Sequence, residues 1–154
     1  HPDAGKEGMR AARAMALITY RSYEGYAVRQ PEDNDDKLDG FQASSYQQYQ
    51  GEKLYRRFDA FAYWTLSKAM DSHNVGRGRG GVAAALGRIK ARTLVLGVSS
   101  DVLFPPEEQR FLAKHIPGAR YEEIHSIYGH DGFLVESVVL SRLIRHFLTD
   151  SPSD

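Results

Sequence analysis

The sequence predicts an α/β protein whose parallel sheet is incomplete, and three observations lead to this prediction. Residues 1–90 show helical patterns separated by polar loops. From Ala91 onward, strand and helix patterns alternate, as they do where helices cover a parallel sheet. This alternation gives two strands, which are too few for a stable doubly covered sheet. We therefore expect further strands to precede His1 and interpret the chain as the second half of a larger α/β domain.

The first part of the chain is predicted to be mainly helical. Apolar and small residues recur at helical intervals over residues 6–21 and predict the first helix. The acidic stretch 24–40 contains DNDDKLDG and a proline, which predict a surface loop. A second helical region begins at about Ser45 and predicts a long helix through Lys68, whose broad apolar face must pack against another element. Four glycines in residues 76–81 then interrupt the helical pattern.

The second part of the chain alternates between strands and helices. A short helix is predicted over residues 82–89, and the apolar run TLVLGV, residues 93–98, is typical of a buried parallel strand. Two prolines then mark the start of a helix that ends at His115. A second strand is predicted over residues 119–125, and a final helix over residues 133–148. The order is strand, helix, strand, helix.

Composition excludes several classes of function. The 154 residues contain 20 basic and 20 acidic side chains, so no global charge favours nucleic acid or an anionic membrane. The chain has no cysteine, which excludes disulfides, thiolate catalysis and cysteine-bound metals. It also has no apolar run of about 18 residues and no signal-peptide pattern at its start. We therefore expect a soluble, cytoplasmic protein.

A candidate acid–base pair follows the two predicted strands. Asp101 lies three residues beyond the first strand, at the edge where open α/β sheets place their functional groups. His130 lies in a glycine-flanked loop after the second strand. Taken singly, Asp101 could be a turn residue that orients the next helix, and His130 could be a surface histidine. Together they fit the hydrolase-fold triad, in which Ser, Asp and His follow one another in this order along the chain.

The residues of this pair are the ones that a serine nucleophile requires. A serine hydroxyl is a poor nucleophile at neutral pH, so a histidine must take its proton and a carboxylate must orient and stabilise that histidine. The nucleophile itself is not found, because its strand-to-helix turn requires a motif close to Gly-x-Ser-x-Gly. The nearest stretch runs from Gly97 to Asp101 and ends in an acid, which excludes Ser99 and Ser100. We expect the serine to lie upstream.

Three stretches of the sequence resemble a known family. They are SYQQYQGEKLYRRFDAFAYWTLSKAMDSHNVGRGRGG, SSDVLFPPEEQ and YGHDGFLVE, and they are similar to homoserine O-acetyltransferases of the α/β-hydrolase fold. The resemblance implies a helical lid and lid exit over residues 1–90 and the last strands and helices of the core over residues 91–154. It implies that acetyl-CoA acylates a serine and that the hydroxyl of L-homoserine then takes the acetyl group, in a ping-pong reaction of methionine biosynthesis. No permanently bound cofactor is implied.

The resemblance also assigns roles to particular residues. Asp101 matches the acid of the triad and His130 matches its base. Asp131 matches an acidic residue near the amino group of homoserine. Arg13 and Tyr20, seven residues apart on one helix face, match an arginine and a tyrosine that line the substrate tunnel. The lid helices match a surface that resembles a homodimer contact, and the residues that bind the coenzyme remain unassigned.

Several alternatives stay open or are disfavoured at this point. The acyl donor could be succinyl-CoA, the acceptor could be serine or water, and the chain could instead be an inert piece that acts only in association. The glycine run at residues 76–81 resembles a phosphate-binding or RNA-binding loop, but it follows a helix and not a strand. A metal site at His125, His130 and Asp131 is disfavoured for two reasons. Alternate residues of the strand that ends at His125 face opposite ways, and no further ligand lies at helical spacing.

Overall fold

A computed structural model of the protein describes residues 4–150. Within this range the chain forms two compact units. The first comprises residues 4–19 and 23–73, and the second comprises residues 20–22 and 74–150. The outermost ends of the two predicted regions, residues 1–3 and 151–154, lie outside the described residues.

The first unit is helical, as the sequence predicted. Its small core contains Met9 and Leu17 from the first helix and Leu54 from the third, all nearly inaccessible to solvent. Arg10 donates hydrogen bonds to Glu52 and so joins these two helices. The helices are α1 (Lys6–Tyr20), α2 (Tyr23–Arg29), α3 (Gln42–Tyr55) and α4 (Ala60–Asp71).

Two predictions for this region were wrong in detail. The stretch 24–40 is not entirely a loop, because α2 occupies its beginning and ends just before Pro31, where a helix is expected to stop. The long helix through Lys68 is in fact two helices, α3 and α4. The break falls at Asp59, whose side chain accepts a hydrogen bond from the backbone N–H of Ala62 at 2.8 Å and caps α4.

The second unit is built on a strand–helix–strand motif. Its two strands pair in parallel, with Leu94 opposite Arg120 and Val98 opposite Ile124, and the described residues contain no further strand of this sheet. The predicted incomplete parallel sheet is therefore confirmed. The elements are α5 (Val82–Leu86), β1 (Leu94–Val98), α6 (Pro106–His115), β2 (Arg120–Ile124), a single 3₁₀ turn (Gly129–Asp131), α7 (Gly132–Val135) and α8 (Ser137–Thr149).

Local sequence explains the ends of these elements. Pro106 stands at the start of α6, where a missing N–H costs nothing, and acidic residues in the first turn and basic residues in the last complement the helix dipole. Two predictions need correction. The short helix ends at Leu86 and not at residue 89. The predicted final helix is divided at Glu136, whose backbone leaves the helical region with ψ +40°.

The predicted boundary at residue 90 between lid and core remains a prediction. The compact units divide between His73 and Asn74, so α5 belongs to the same unit as the strands. Tyr20, Arg21 and Ser22 also belong to this second unit, although their neighbours on both sides belong to the first. Among the helices that the structure describes, none is both long and apolar enough to cross a membrane.

Candidate active site

Asp101 is held rigidly in the turn that follows β1. Its side chain is 5% exposed, and Oδ1 accepts hydrogen bonds from the backbone N–H groups of Leu103 at 2.8 Å and Phe104 at 2.9 Å. Its own N–H donates to the carbonyl of Val98 at the end of the strand. These bonds satisfy one carboxylate oxygen and fix the direction of the other. A buried carboxylate fixed in this way can orient a partner without spending entropy on its own side chain.

That partner is His130. Its Nδ1 lies 2.8 Å from Oδ2 of Asp101, the distance of a strong charge-assisted hydrogen bond. Aromatic rings surround the imidazole: its centroid lies 5.0 Å from Phe104, 5.3 Å from Phe133 and 5.8 Å from Tyr20. Because the carboxylate engages Nδ1, the remaining nitrogen, Nε2, is the one that can take a proton from a nucleophile.

Two serines that the motif excludes as nucleophiles join the loops that carry Asp101 and His130. Ser100 Oγ donates to the carbonyl of Ser126 at 2.6 Å and accepts from the N–H of Gly129 at 2.9 Å. Ser99 Oγ accepts from the N–H of Ser126 at 3.2 Å. Sequence reasoning assigned no role to these hydroxyls. They explain how the loop after β1 and the loop after β2 keep Asp101 and His130 in register.

The residue before His130 has to be glycine for two separate reasons. Gly129 has a φ of +63°, which side chains rarely adopt. A Cβ atom added there would also lie 2.8 Å from the backbone N of Ser22 and 2.9 Å from the backbone C of Arg21. The loop that carries His130 therefore packs directly against the backbone of residues 21–22.

Asp131, predicted to lie near a substrate amino group, is close to Arg21. The guanidinium Nε of Arg21 donates to Oδ2 of Asp131 at 3.1 Å, and both side chains are about one-quarter exposed. Arg21 was not among the residues predicted from the sequence, although it directly follows Tyr20. The structure thus brings together Asp101, His130, Asp131 and Tyr20. Arg13 lies in the middle of α1, within the first unit, and its role stays a prediction.

A cleft of about 840 Å³ opens beside the acid–base pair. Its walls come from β1, α6 and α7 and are largely apolar, with Leu96, Phe104, Phe111 and Phe133 among them. Asp101 and His130 also line it. In the described part of the chain, no cluster of three or more histidine or acidic side chains could hold a metal ion.

A polar cluster joins β2 to α6. The hydroxyl of Tyr121 donates to Oε2 of Glu123 at 2.7 Å, and Arg110 donates to the same oxygen at 2.6 Å. Burial, and then this hydrogen bond, raise the pKa of Tyr121 to about 12. The same hydrogen bond from Tyr121 lowers the pKa of Glu123. A Cβ at Gly97 would lie 2.7 Å from the Tyr121 hydroxyl, so Gly97 leaves the space that this phenol occupies.

The arrangement can perform proton transfer but not, by itself, covalent catalysis. It holds a histidine, His130, oriented by a buried carboxylate, Asp101, and this arrangement is like that of two of the three members of a nucleophilic triad. No Gly-x-Ser-x-Gly motif occurs anywhere in the 154 residues. The chemistry that the site can support is activation of a hydroxyl supplied from elsewhere.

Comparison with curated proteins identifies relatives over nearly the whole chain. The chain is 48% identical over 150 residues to a homoserine O-acetyltransferase of Cyclobacterium marinum, which covers 97% of the chain and 42% of that protein. It is 49% identical over 147 residues to a homoserine O-acetyltransferase of Thermobifida fusca, with 92% of the chain and 39% of that protein covered. The chain thus spans about two-fifths of the relatives it matches. No protein-family model matches it.

Solved structures agree with these relatives. The chain matches the crystal structure of a homoserine O-acetyltransferase from Staphylococcus aureus with a TM-score of 0.76 and 32% identity, covering 98% of this chain and 44% of that one. A homoserine O-acetyltransferase from Bacillus anthracis gives a TM-score of 0.84 at 18% identity, covering 97% and 43%, and shows a shared fold. These findings confirm the resemblance that the sequence predicted: the chain resembles the C-terminal portion of a homoserine O-acetyltransferase with the α/β-hydrolase fold.

Proposed function

We propose that this chain supplies the acid and base of an acyltransferase that moves an acetyl group from acetyl-CoA to the hydroxyl of L-homoserine. The observation that carries the proposal is the 2.8 Å contact between His130 Nδ1 and the carboxylate of Asp101. That carboxylate is buried and accepts two backbone hydrogen bonds through its other oxygen. The names of the relatives, at 45–49% identity, support the choice of reaction. The nucleophilic serine is proposed to lie outside these 154 residues, because none of their serines stands in the required motif.

In the first half-reaction, the serine hydroxyl attacks the thioester carbonyl while its proton passes to Nε2 of His130. Asp101 stabilises the imidazolium that forms, without itself becoming protonated. The C–S bond then breaks, and the departing thiolate takes the proton from His130. The products are an acyl-serine and free coenzyme thiol. The apolar cleft beside His130 is suited to keep water from the acyl-serine.

In the second half-reaction, the side-chain hydroxyl of homoserine attacks the acyl-serine. His130 takes the proton of that hydroxyl and returns it to the serine as the ester product leaves. Asp131 is proposed to face the substrate ammonium, and Arg13 its carboxylate, because opposite charges suit both groups. The ring of Tyr20 lies next to His130, where it can limit the space open to the acceptor.

Replacing His130 by glutamine tests the role of the base. In the protein that contains this chain together with the proposed serine, His130→Gln should lower acyl transfer by roughly 10⁴-fold, since no other group takes the proton. His125→Gln is the matched control, because His125 is an exposed histidine just beyond β2. Transfer from acetyl-CoA to homoserine is followed by release of the free thiol. Wild-type turnover in His130→Gln would rule out this function.

A panel of donors and acceptors separates the proposed reaction from its alternatives. We expect acetyl-CoA and homoserine to give the highest kcat/KM. Preference for succinyl-CoA would indicate a succinyltransferase, and preference for serine would indicate a different acceptor. Release of thiol at the same rate without any acceptor would indicate that water takes the acyl group, as in an esterase.

The position of the nucleophile is tested with the 154-residue chain alone. Because the chain lacks the serine motif, it should hydrolyse p-nitrophenyl acetate no faster than free imidazole does. Adding the nucleophile-bearing segment of the same protein should restore turnover if the two parts reassemble. An enzyme-like rate from the isolated chain would show that it contains a nucleophile after all.

We further propose that the apolar face of α4 forms a contact between two copies of the protein. Phe61 is 73% exposed and Trp64 55%, with ring centroids 5.8 Å apart, and Met70 of the same helix is 73% exposed, which is unusual for large apolar side chains. Trp64→Ser together with Phe61→Ser should shift the protein from dimer to monomer in sedimentation measurements. An unchanged dimer would place the contact elsewhere, and a monomeric wild-type protein would exclude it.

A further inference from the structure

The segment Tyr20–Ser22 stands apart from the helices on either side of it. Its residues group with the second unit, whereas residues 4–19 and 23–73 group with the first. The segment lies at the junction between α1, which ends at Tyr20, and α2, which begins at Tyr23. Local contacts with the loop after β2 must therefore account for this grouping.

Each of the three residues contacts that loop in a different way. The ring of Tyr20 lies 5.8 Å from the ring of His130. The guanidinium of Arg21 donates to Asp131 at 3.1 Å. The hydroxyl of Ser22 donates to the carbonyl of Ile127. A tilted ring contact, an ion pair and a hydrogen bond to a backbone carbonyl therefore reach both ends of the loop.

The backbone of the segment also fills the space beside the loop. A Cβ at Gly129 would lie 3.0 Å or less from three backbone atoms of residues 21–22, so the two main chains are in direct contact. On its opposite side, the N–H of Gly129 donates to Ser100 Oγ. The loop is thus held between the turn after β1 and the segment Tyr20–Ser22. Of these contacts, only the Arg21–Asp131 pair involves two charged groups.

We infer that Arg21 is a positioning residue for His130, acting through Asp131, the next residue along the loop. This inference rests on the proposed function of His130 as the base. The two side chains are partly shielded from solvent, at 23% and 26% exposure, so their attraction is weakened less than that of a fully exposed pair. Fixing the Asp131 side chain restrains the backbone to which the imidazole of His130 is attached. Arg21 itself takes no part in bond making or proton transfer.

This role differs from binding of the acceptor in a measurable way. His130 works in both half-reactions, whereas an acceptor contact matters only in the second. Arg21→Ala should therefore lower the rate of thiol release from acetyl-CoA in a single turnover without acceptor by about tenfold, a size typical of coupled polar neighbours. Arg21→Lys should recover part of the rate, because it keeps the charge but not the planar guanidinium.

A double-mutant cycle tests whether Arg21 acts through Asp131. In the Asp131→Asn background, Arg21→Ala should cause little further loss in the acylation rate. Arg110→Ala is the matched control, because it removes an arginine that pairs with Glu107 and Glu123 on α6 and β2. It should leave the acylation rate unchanged. Full additivity of Arg21→Ala and Asp131→Asn, or a loss confined to the acceptor half-reaction, would overturn the inference.

A measurement independent of turnover keeps this test separate from the proposed function. Histidine labelled with ¹³C at Cε1 gives a resonance for His130, assigned from the His130→Gln variant. Arg21→Ala should shift or broaden that resonance, Arg110→Ala should not, and Arg21→Ala should add no change in the Asp131→Asn background. If the wild type fails to acylate homoserine, the proposed function fails, but the resonance still decides the positioning role. An unmoved His130 resonance in a folded Arg21→Ala variant would overturn it.

Discussion

The loop that carries His130 and the helix α4 differ in how their residues are held: those of the loop are bonded to neighbouring segments, whereas those of α4 are largely exposed. The loop, residues 126–132, donates backbone hydrogen bonds to Ser99 and Ser100, accepts one from Ser22 and forms an ion pair with Arg21. Helix α4 is fixed at its start by the cap at Asp59, yet it contains no buried residue and exposes large apolar side chains. The residues that hold the loop all belong to the same compact unit as the loop. Helix α4 instead exposes an apolar surface.

The largest effect should come from the acid on the loop side of this comparison. Asp101→Asn keeps the size of the side chain, but its amide can present an N–H to His130 Nδ1 and so favour the wrong tautomer. We expect kcat for acyl transfer to fall by about 10⁴-fold with little change in the unfolding midpoint. Asp150→Asn, at the C-terminal end of α8, is a control of the same chemistry. A loss of less than tenfold in Asp101→Asn would show that the carboxylate does not orient the base.

The packing of the loop should give the next largest effect. Gly129→Ala combines an unfavourable positive φ with a clash against residues 21–22, and we expect it to lower the free energy of unfolding by about 1–3 kcal/mol. Gly118→Ala is the control, because Gly118 has a φ of +68° but no atom within 4 Å of an added Cβ. Gly118→Ala therefore loses only the free energy that the positive φ costs an alanine. Equal losses in denaturant unfolding would show that contact with residues 21–22 is unimportant.

The cap of α4 tests the helix side of the comparison. Asp59→Ala removes the acceptor for the Ala62 N–H and should lower the free energy of unfolding by about 1 kcal/mol. The rate of acyl transfer should not change. Asp71→Ala is the matched control, since an acid at the C-terminal end of α4 opposes the helix dipole and its loss is not destabilising. A drop in kcat with Asp59→Ala would link α4 to the chemistry and break the comparison.

The smallest effect appears only at high pH. Because the folded-state pKa of Tyr121 is about 12, above its ordinary value of 10.0, the folded protein keeps this proton after the unfolded chain begins to lose it. The stability from this group is complete below about pH 10 and is lost as the pH rises toward 12. Ultraviolet titration of the phenols should show one late tyrosine that disappears in Tyr121→Phe. If the phenol that disappears in Tyr121→Phe titrates near pH 10 together with the other tyrosines, the shift is contradicted.

The parts of the fold that follow from local chemistry were predicted well from the sequence. The apolar run before Asp101, the paired prolines and the Pro-Gly turn defined β1, α6 and β2 to within two residues. The site pair followed from the same pattern, because parallel strands bring the residues after their carboxyl ends together. The breaks at Asp59 and Glu136 were missed. Apolar periodicity continues across both, and only a cap or a changed ψ marks them.

The supporting contacts of the site could not be predicted from sequence patterns. Ser99 and Ser100 were considered only as nucleophiles, although their hydroxyls join two loops that are 26–29 residues apart. Arg21 meets Asp131 across 110 residues, a separation that no periodicity reports. Short polar side chains in loops carry little pattern, and their partners become visible only when the tertiary structure is known. The candidate acid–base pair is therefore easier to find in the sequence than the residues that hold it in place.

The sequence separations of these contacts also suggest an order of folding. The Asp101–His130 pair closes a loop of 29 residues that contains one helix and one strand, α6 and β2, which is a modest entropic cost. The Arg21–Asp131 pair closes one of 110 residues. Short-range contacts form sooner than long-range ones in general. We therefore expect the contact between Asp101 and His130 to form early in folding. The contact between Arg21 and Asp131 should form later and stabilise a pair that is already in place.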